Sequence, residues 1–294
     1  MAELDLSAAY LEAAPIIVTS PTTRCGTTLV QRVLCASDNA IVYGEEIGRQ
    51  FQTLTALLAN QIRHSEHRAQ TPDEDFARAI SGALTDWRPS LAPPPQVLLR
   101  GWTDTYFQLP LTLARFGAGI GRPVWGFKWP GCSLELITAY LTLMPKAKVV
   151  YVMRNLVDAL MSAKARRFVN TPAEVDSFCV QWAKNAEAAL SLHADGRVFV
   201  LPYERLLKRR DEQVGALAAF TGAKSLRLEA FDVKVNTYRG EKAHGHSPNQ
   251  YIEPTPLTDD ELTVVFERAA GQMKTYYPGI GPKDCTPASS ADAP

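Results

Sequence analysis

Residues 21–28 carry side chains suited to binding an anion. This segment, PTTRCGTT, follows a short apolar run at 16–18 and leads into a helical pattern, which predicts a strand, a loop and a helix N-terminus. Against the phosphate-loop template G-x-x-x-x-G-K-[ST], it keeps the second Gly and the final hydroxyl residue but lacks the first Gly and the Lys. Helix N-terminal N–H groups, hydroxyls and one guanidinium form an anion cradle that does not depend on a metal. The residues that would form it are Arg24, Cys25, Gly26, Thr27 and Thr28.

A second group of polar residues follows a strongly apolar run. Residues 149–153, VVYVM, have the composition of a fully buried strand, and helical spacing begins after Asn155. Arg154 at the strand end and Ser162 in the helix can converge on one phosphate group, because an α-helix rises only about 1.5 Å per residue. Asp158 lies one turn before Ser162 on the same helix face, where it could orient Arg154 or cap the helix.

Charged residues at the ends of two other short strands could act on a bound ligand. Glu45 and Glu46 follow the apolar stretch 41–43, but acids in the first turn of a helix also occur simply because they complement the helix dipole. Lys128 ends a predicted strand at 124–128, and ligands bind at the carboxyl ends of strands in open α/β sheets. A Lys at a solvated strand end would give the same pattern as Lys128. For these acids and for Lys128, a functional and a purely structural interpretation therefore both stay open.

Alternating strands and helices must position these residues. Apolar runs predict strands at 16–18, 41–43, 124–128, 149–153 and 197–202. Helical spacing and capping residues predict helices at 46–64, 71–87, 133–144, 171–193 and 258–276. This order indicates an α/β fold with a mainly parallel sheet.

Length and charge limit the class of protein. At 294 residues the chain can bury a sizeable core, and we expect a single domain at 1–280 and a disordered tail at 281–294. Thirty-one basic residues balance 31 acidic ones, which argues against nucleic acid or a membrane surface as the main partner. The N-terminal segment is acidic and lacks the pattern of a signal peptide, so we expect a cytoplasmic protein.

The five cysteines do not suggest a disulfide framework or a zinc site. Their number is odd and they form no C-x-x-C pair, which is typical of reduced thiols. Cys25 lies beside Arg24 at a predicted helix N-terminus, where the pKa of a thiol could fall, or it replaces Ser in a tight loop.

Both anion-binding segments resemble motifs of the sulfotransferases that use 3′-phosphoadenosine 5′-phosphosulfate (PAPS). Residues 23–29, TRCGTTL, are similar to the P-R-S-G-T-T-L loop that binds the 5′-phosphosulfate. Residues 154–162 resemble the 3′-phosphate motif R-[ND]-P-x-D-x-x-x-S, with Leu156 where Pro is usual. Residues 43–46, YGEE, resemble the Cys-Gly-Glu-Glu segment of protein-tyrosine sulfotransferases. In its motifs the chain is most similar to that group and to related bacterial sulfotransferases.

This resemblance implies a fold, a donor and a set of roles. It implies a three-layer, phosphate-loop-like sandwich that binds PAPS, releases adenosine 3′,5′-bisphosphate (PAP) and needs no metal. It makes Glu45 the catalytic base and places Lys128, which precedes Pro130 as in the family's Lys-Asp-Pro segment, at the sulfate and the leaving oxygen. It makes Arg24 a catalytic residue as well. The residues that it implicates in nucleotide binding are Arg24, Cys25, Gly26, Thr27, Thr28, Arg154, Ser162, Tyr203, Arg239 and Lys242.

The resulting hypothesis is a sulfotransferase that acts on a hydroxyl of a small molecule, a carbohydrate or a tyrosyl peptide. The alternatives are a phosphate-loop kinase of small molecules, which the missing loop Lys disfavours, and a non-catalytic nucleotide-binding module. Glu46, His244 or His246 could replace Glu45 as the base. We expect residues 46–120 to shape the acceptor site. The sequence leaves the acceptor and the oligomeric state open, with a homodimer among the possibilities.

Overall fold

The computed structural model describes residues 8–68, 72–82, 91–232 and 252–277, and these contain one five-stranded sheet. Its strands are β1 (Ile16–Thr19), β2 (Ala40–Tyr43), β3 (Val124–Lys128), β4 (Lys148–Met153) and β5 (Val198–Pro202). All pairs are parallel, in the order β2-β3-β1-β4-β5. Each apolar run predicted as a strand is a strand, and the predicted α/β fold with a parallel central sheet is confirmed.

Helices cover both faces of this sheet. Among the described residues they are α1 (Ala8–Leu11), α2 (Thr27–Cys35), α3 (Glu45–Arg68), α4 (Pro72–Ile80), α5 (Pro95–Gly119), α6 (Leu134–Leu143), α7 (Leu156–Ala165), α8 (Pro172–Leu192), α9 (Tyr203–Lys208), α10 (Arg210–Thr221) and α11 (Asp259–Tyr276), with a 3₁₀ turn at Leu228–Phe231. None of them has both the length and the apolar composition to cross a membrane.

The sheet is the middle layer of three. Successive residues of β4 point to opposite faces, so that Val149 and Tyr151 enter one core while Val150 and Val152 enter the other. Residues of α3, α5, α6, α7, α8 and α11 complete the first core, and residues of α2, α9 and α10 complete the second. Because β4 is buried on both sides, it reads as a continuous apolar run in the sequence.

The chain between the neighbouring strands β2 and β3 is unusually long. These strands pair from Ala40 with Val124 to Tyr43 with Phe127, and residues 44–123 connect them through α3, α4 and α5. Apolar spacing alone does not predict α5, which begins directly after a Pro-rich break and contains Pro110. The helix predicted at 71–87 is observed at Pro72–Ile80, and residues 83–90 lie outside the described part, as does the predicted tail.

Candidate active site

The loop between β1 and α2 turns sharply at two residues. Arg24 and Gly26 both have left-handed backbone conformations, with φ of +67° and +95°, and α2 begins directly afterwards at Thr27. The first N–H groups of a helix have no partners within it, so they can bind an anion at the N-terminus. A left-handed arginine costs about 1 kcal/mol, and backbone strain of this kind is concentrated at functional sites.

The loop side chains are partly buried and partly accessible. Cys25 and Thr27 are buried, whereas Thr28 is exposed. Burial raises the pKa of the Cys25 thiol, and its sulfur lies 3.6 Å from the Thr22 hydroxyl. A thiol with a raised pKa is a poor nucleophile, so Cys25 has the character of a small residue that fills a tight loop.

Lys128 joins two of the predicted site residues. Its ammonium nitrogen lies 2.8 Å from Oε1 of Glu45 and donates a hydrogen bond to the Thr28 hydroxyl at 3.1 Å. The Lys128 side chain is only 9% exposed, whereas the Glu45 side chain is 50% exposed. The loop, the start of α3 and the end of β3 therefore meet at one point, with the cation on the inside and the carboxylate facing solvent.

Close packing of α3 against the end of β3 positions Glu45. A Cβ atom at Gly48 would lie 2.7 Å from the Lys128 carbonyl oxygen, so only glycine permits this approach three residues after Glu45. The other acid, Glu46, pairs instead with Arg49 at 2.5 Å, and its side chain is 65% exposed. Of the two adjacent acids, Glu45 is the one in contact with Lys128.

Arginine side chains converge where α7 approaches the loop. Arg24 donates from Nε to the Ser162 hydroxyl at 3.2 Å, and Arg154 donates from Nη1 to the Arg24 carbonyl at 2.8 Å. Burial lowers the pKa of the Arg24 guanidinium, and the positive charges of Arg166 and Arg154 lower it further. Arg166 is buried and belongs to neither sequence motif. The one signal for it is its position four residues after Ser162, where it is the C-cap residue of α7.

The ring of Tyr203 packs between the loop and Arg154. Its centroid lies 4.9 Å from the Arg154 guanidinium carbon, which is within cation–π distance. A Cβ atom at Gly26 would lie 2.2 Å from the ring carbon Cδ2. Gly26 is therefore required by its positive φ and, independently, by the Tyr203 ring.

Asp158 caps α7 jointly with Asn155. The Asn155 side chain accepts a hydrogen bond from the Asp158 backbone N–H at 2.8 Å and donates one to the Asp158 carboxylate at 2.6 Å. Of the two roles considered for Asp158, the structure shows the helix start and no hydrogen bond to Arg154 among the described residues. Asn155 is the N-cap residue itself.

Asn185 holds the loop and the turn after β3 together. It is buried on α8, and its amide donates to the Pro21 carbonyl at 2.7 Å and to the Gly131 carbonyl at 3.5 Å. The sequence signal is an amide among the apolar residues of α8, which does not reveal the partners.

Some predicted residues cannot be placed. Arg239, Lys242, His244 and His246 lie outside the described residues. Within the described ranges, no group of three or more His, Cys, Asp or Glu side chains has the arrangement of a metal site.

Comparisons with known proteins identify the family. The model of the Sulfotransferase family matches residues 15–225, which include both motifs and all five strands. No curated protein sequence matches the chain significantly.

Solved structures similar to this chain include a sulfotransferase domain, a sulfotransferase and a retinol dehydratase. The sulfotransferase domain of the Synechococcus PCC 7002 olefin synthase is 16% identical, covers 86% of this chain and 94% of its own, and has a TM-score of 0.47. Sulfotransferase STF1 of Mycobacterium tuberculosis H37Rv is 20% identical, and the match covers 88% of this chain and 76% of STF1 with a TM-score of 0.45. Retinol dehydratase, solved with androsterone and the inactive cofactor PAP, is 13% identical, and the match covers 90% of this chain and 66% of the dehydratase with a TM-score of 0.37.

The family match covers most of the chain, and the two predicted motifs lie within it. The prediction of a PAPS-dependent sulfotransferase is therefore confirmed: the chain belongs to the Sulfotransferase family.

Proposed function

We propose that this enzyme transfers the sulfuryl group of PAPS to an acceptor hydroxyl, with Glu45 as general base. The observation that carries the proposal is the position of the Lys128 ammonium, 2.8 Å from the Glu45 carboxylate and 3.1 Å from the Thr28 hydroxyl. An acid, a cation and the anion-binding loop thus meet at the carboxyl ends of parallel strands, where ligands bind in open α/β sheets.

The residues present fit a donor with two separate anionic groups. The helix N-terminus and Arg24 would hold the 5′-phosphosulfate, and Arg154 and Ser162 would hold the 3′-phosphate. Arg154 Nε is buried and has no hydrogen-bond partner among the described residues, which leaves it available to a phosphate oxygen. Clustered guanidinium groups repel one another, and an anion between them offsets that repulsion. We assign the remaining nucleotide contacts to Cys25, Gly26, Thr27, Thr28, Tyr203, Arg239 and Lys242.

To catalyse sulfuryl transfer, the protein must align the donor with the acceptor, remove the acceptor proton and stabilise the developing negative charge. The acceptor oxygen forms a bond to sulfur while the bond from sulfur to the phosphate oxygen breaks, and the acceptor proton passes to Glu45. Lys128 stabilises the negative charge that grows on the departing oxygen. The half-exposed Glu45 side chain lies on the solvent side of Lys128, so an acceptor can reach the carboxylate.

We further propose that residues 1–280 form one sulfotransferase domain, and that the acceptor is a small molecule, a carbohydrate or a tyrosyl peptide. A cytoplasmic location is consistent with the four described cysteines, all of which are free.

The donor is tested by calorimetric titration of PAP and AMP into the wild type and Arg154→Ala. We expect tight PAP binding that exceeds AMP binding, and a loss of at least tenfold in PAP affinity alone for Arg154→Ala, because a charged hydrogen bond to phosphate contributes about 1.5–3 kcal/mol. Equal binding of PAP and AMP by the wild type would overturn the assignment of the donor.

The base is tested by PAP release from PAPS with a panel of phenols, sugars and tyrosyl peptides. Glu45→Gln should lower turnover by about 10²-fold or more and leave PAP affinity unchanged. Glu46→Gln is the matched control, since it alters the adjacent exposed acid, and it should retain wild-type turnover. Equal losses in both variants would refute the role of Glu45.

A further inference from the structure

The strands β4 and β5 are neighbours in the sheet and end at the same level, so the residues that follow them lie side by side. Met153 pairs with Pro202 in the parallel register, and each strand is followed by two residues of functional interest. One residue after this pair, the Arg154 guanidinium carbon lies 4.9 Å from the centroid of the Tyr203 ring. Two residues after the pair, Asn155 contacts Glu204.

Glu204 holds Asn155 through one carboxylate oxygen. Its Oε1 accepts hydrogen bonds from the Asn155 backbone N–H at 3.0 Å and from the Asn155 side-chain amide at 3.2 Å. Asn155 also accepts from the Asp158 backbone N–H as the N-cap of α7. A single carboxylate on α9 therefore fixes the first turn of the helix that carries Ser162.

The same contacts restrict Arg154, which lies between Met153 and the held Asn155. Its carbonyl accepts a hydrogen bond from the Trp182 indole N–H at 3.0 Å. None of the ion pairs among the described residues joins Glu204 to the Arg154 guanidinium. Glu204 thus constrains the backbone directly after Arg154, through Asn155, without pairing with the Arg154 guanidinium.

We propose that Glu204 is a positioning residue for recognition of the donor's 3′-phosphate, acting through Asn155 on Arg154 and Ser162. This inference rests on the proposed function, in which those two residues bind that phosphate. The role depends on an acceptor oxygen at Oε1 and not on the negative charge of Glu204. Glutamine supplies the same oxygen, so Glu204→Gln should preserve the role that Glu204→Ala removes.

The first test is calorimetric titration of PAP and AMP into Glu204→Ala, Glu204→Gln and the control Glu187→Ala, an exposed glutamate of α8. We expect Glu204→Ala to lose about tenfold in PAP affinity, as for two hydrogen bonds of ordinary net strength, with AMP affinity within about twofold of wild type. Glu204→Gln and Glu187→Ala should bind PAP as the wild type does. Equal loss of both nucleotides in Glu204→Ala, or failure of Glu204→Gln to restore PAP binding, would overturn the proposal.

A second test needs no ligand. The Trp182 indole N–H reports the position of the Arg154 carbonyl, so its resonance in a ¹⁵N–¹H spectrum should move in Glu204→Ala and stay in place in Glu204→Gln. An unmoved resonance in Glu204→Ala would refute the positioning role. If wild type shows no preference for PAP over AMP, the proposed function fails, and this spectrum still decides whether Glu204 holds Arg154.

Discussion

Substitution of Gly26 by alanine should be far more damaging than the same change at an equally left-handed glycine elsewhere. Alanine at φ +95° costs about 1 kcal/mol. Its Cβ would also lie 2.2 Å from the Tyr203 ring, so the ring must retreat by about 1.5 Å to restore van der Waals contact, and such overpacking costs about 1–3 kcal/mol. We expect Gly26→Ala to lower the free energy of unfolding by about 2–4 kcal/mol.

Gly222 provides the matched control. It ends α10 with φ +78°, and a Cβ atom there would meet no atom within 4 Å. Gly222→Ala should therefore cost only the backbone strain of about 1 kcal/mol. Urea denaturation of both variants measures the difference directly.

A double-mutant cycle separates the steric conflict from the backbone strain. Tyr203→Ala removes the ring, so the Gly26→Ala penalty in that background should fall to about that of Gly222→Ala, with a coupling energy of about 1–3 kcal/mol. PAP affinity should also fall in Gly26→Ala, because the displaced ring contacts Arg154. Equal penalties at Gly26 and Gly222, or no coupling with Tyr203→Ala, would show that the close approach of ring and loop is not what restricts this position.

Three further results are expected. Lys128→Met should lower turnover by about 10²-fold or more with little change in PAP affinity, whereas the exposed Lys184→Met should keep wild-type initial rates. Burial opposes ionisation of Glu261, but its contact with Lys164 at 2.5 Å and the hydrogen bond that its carboxylate accepts from the Thr258 backbone N–H hold the pKa of this carboxyl below its ordinary value. The stability it contributes is therefore present at neutral pH and lost as the pH falls below about 4.5; urea denaturation at pH 7 and pH 4 should show a smaller pH effect in Lys164→Met. Burial raises the pKa of the Cys132 thiol to about 12, so iodoacetamide at pH 8 should label it only after unfolding, as peptide mass spectrometry can show.

The strands and the charged residues at their carboxyl ends can be predicted from local sequence. Each parallel strand is a short apolar run, and the carboxyl ends of parallel strands share one edge of the sheet. Lys128 and Arg154 are recognisable because Lys128 is the last residue of β3 and Arg154 directly follows β4. Spacing along one helix is equally local, so Ser162 follows from Arg154 once a helix is assumed.

Residues whose role depends on pairing between distant segments cannot be found in this way. Glu204 meets Asn155 only through the register of β4 and β5, and Asn185 meets Pro21 only when α8 packs beside the loop. The helix α5 escapes prediction for a different reason. Pro95 at its first turn looks like a break, although proline is favoured there because the first N–H groups of a helix need no partner.

The long connection between β2 and β3 contains residues that can vary in evolution and residues that the fold constrains. A parallel crossover needs only a dozen or so residues, whereas the described residues between 44 and 123 include the three helices α3, α4 and α5. The first turn of α3 brings Glu45 against Lys128. The exposed residues of α3 and α5 can therefore vary without altering the strand register, whereas changes at their buried residues disturb the core on one face of the sheet and, with it, the contact of Glu45 with Lys128.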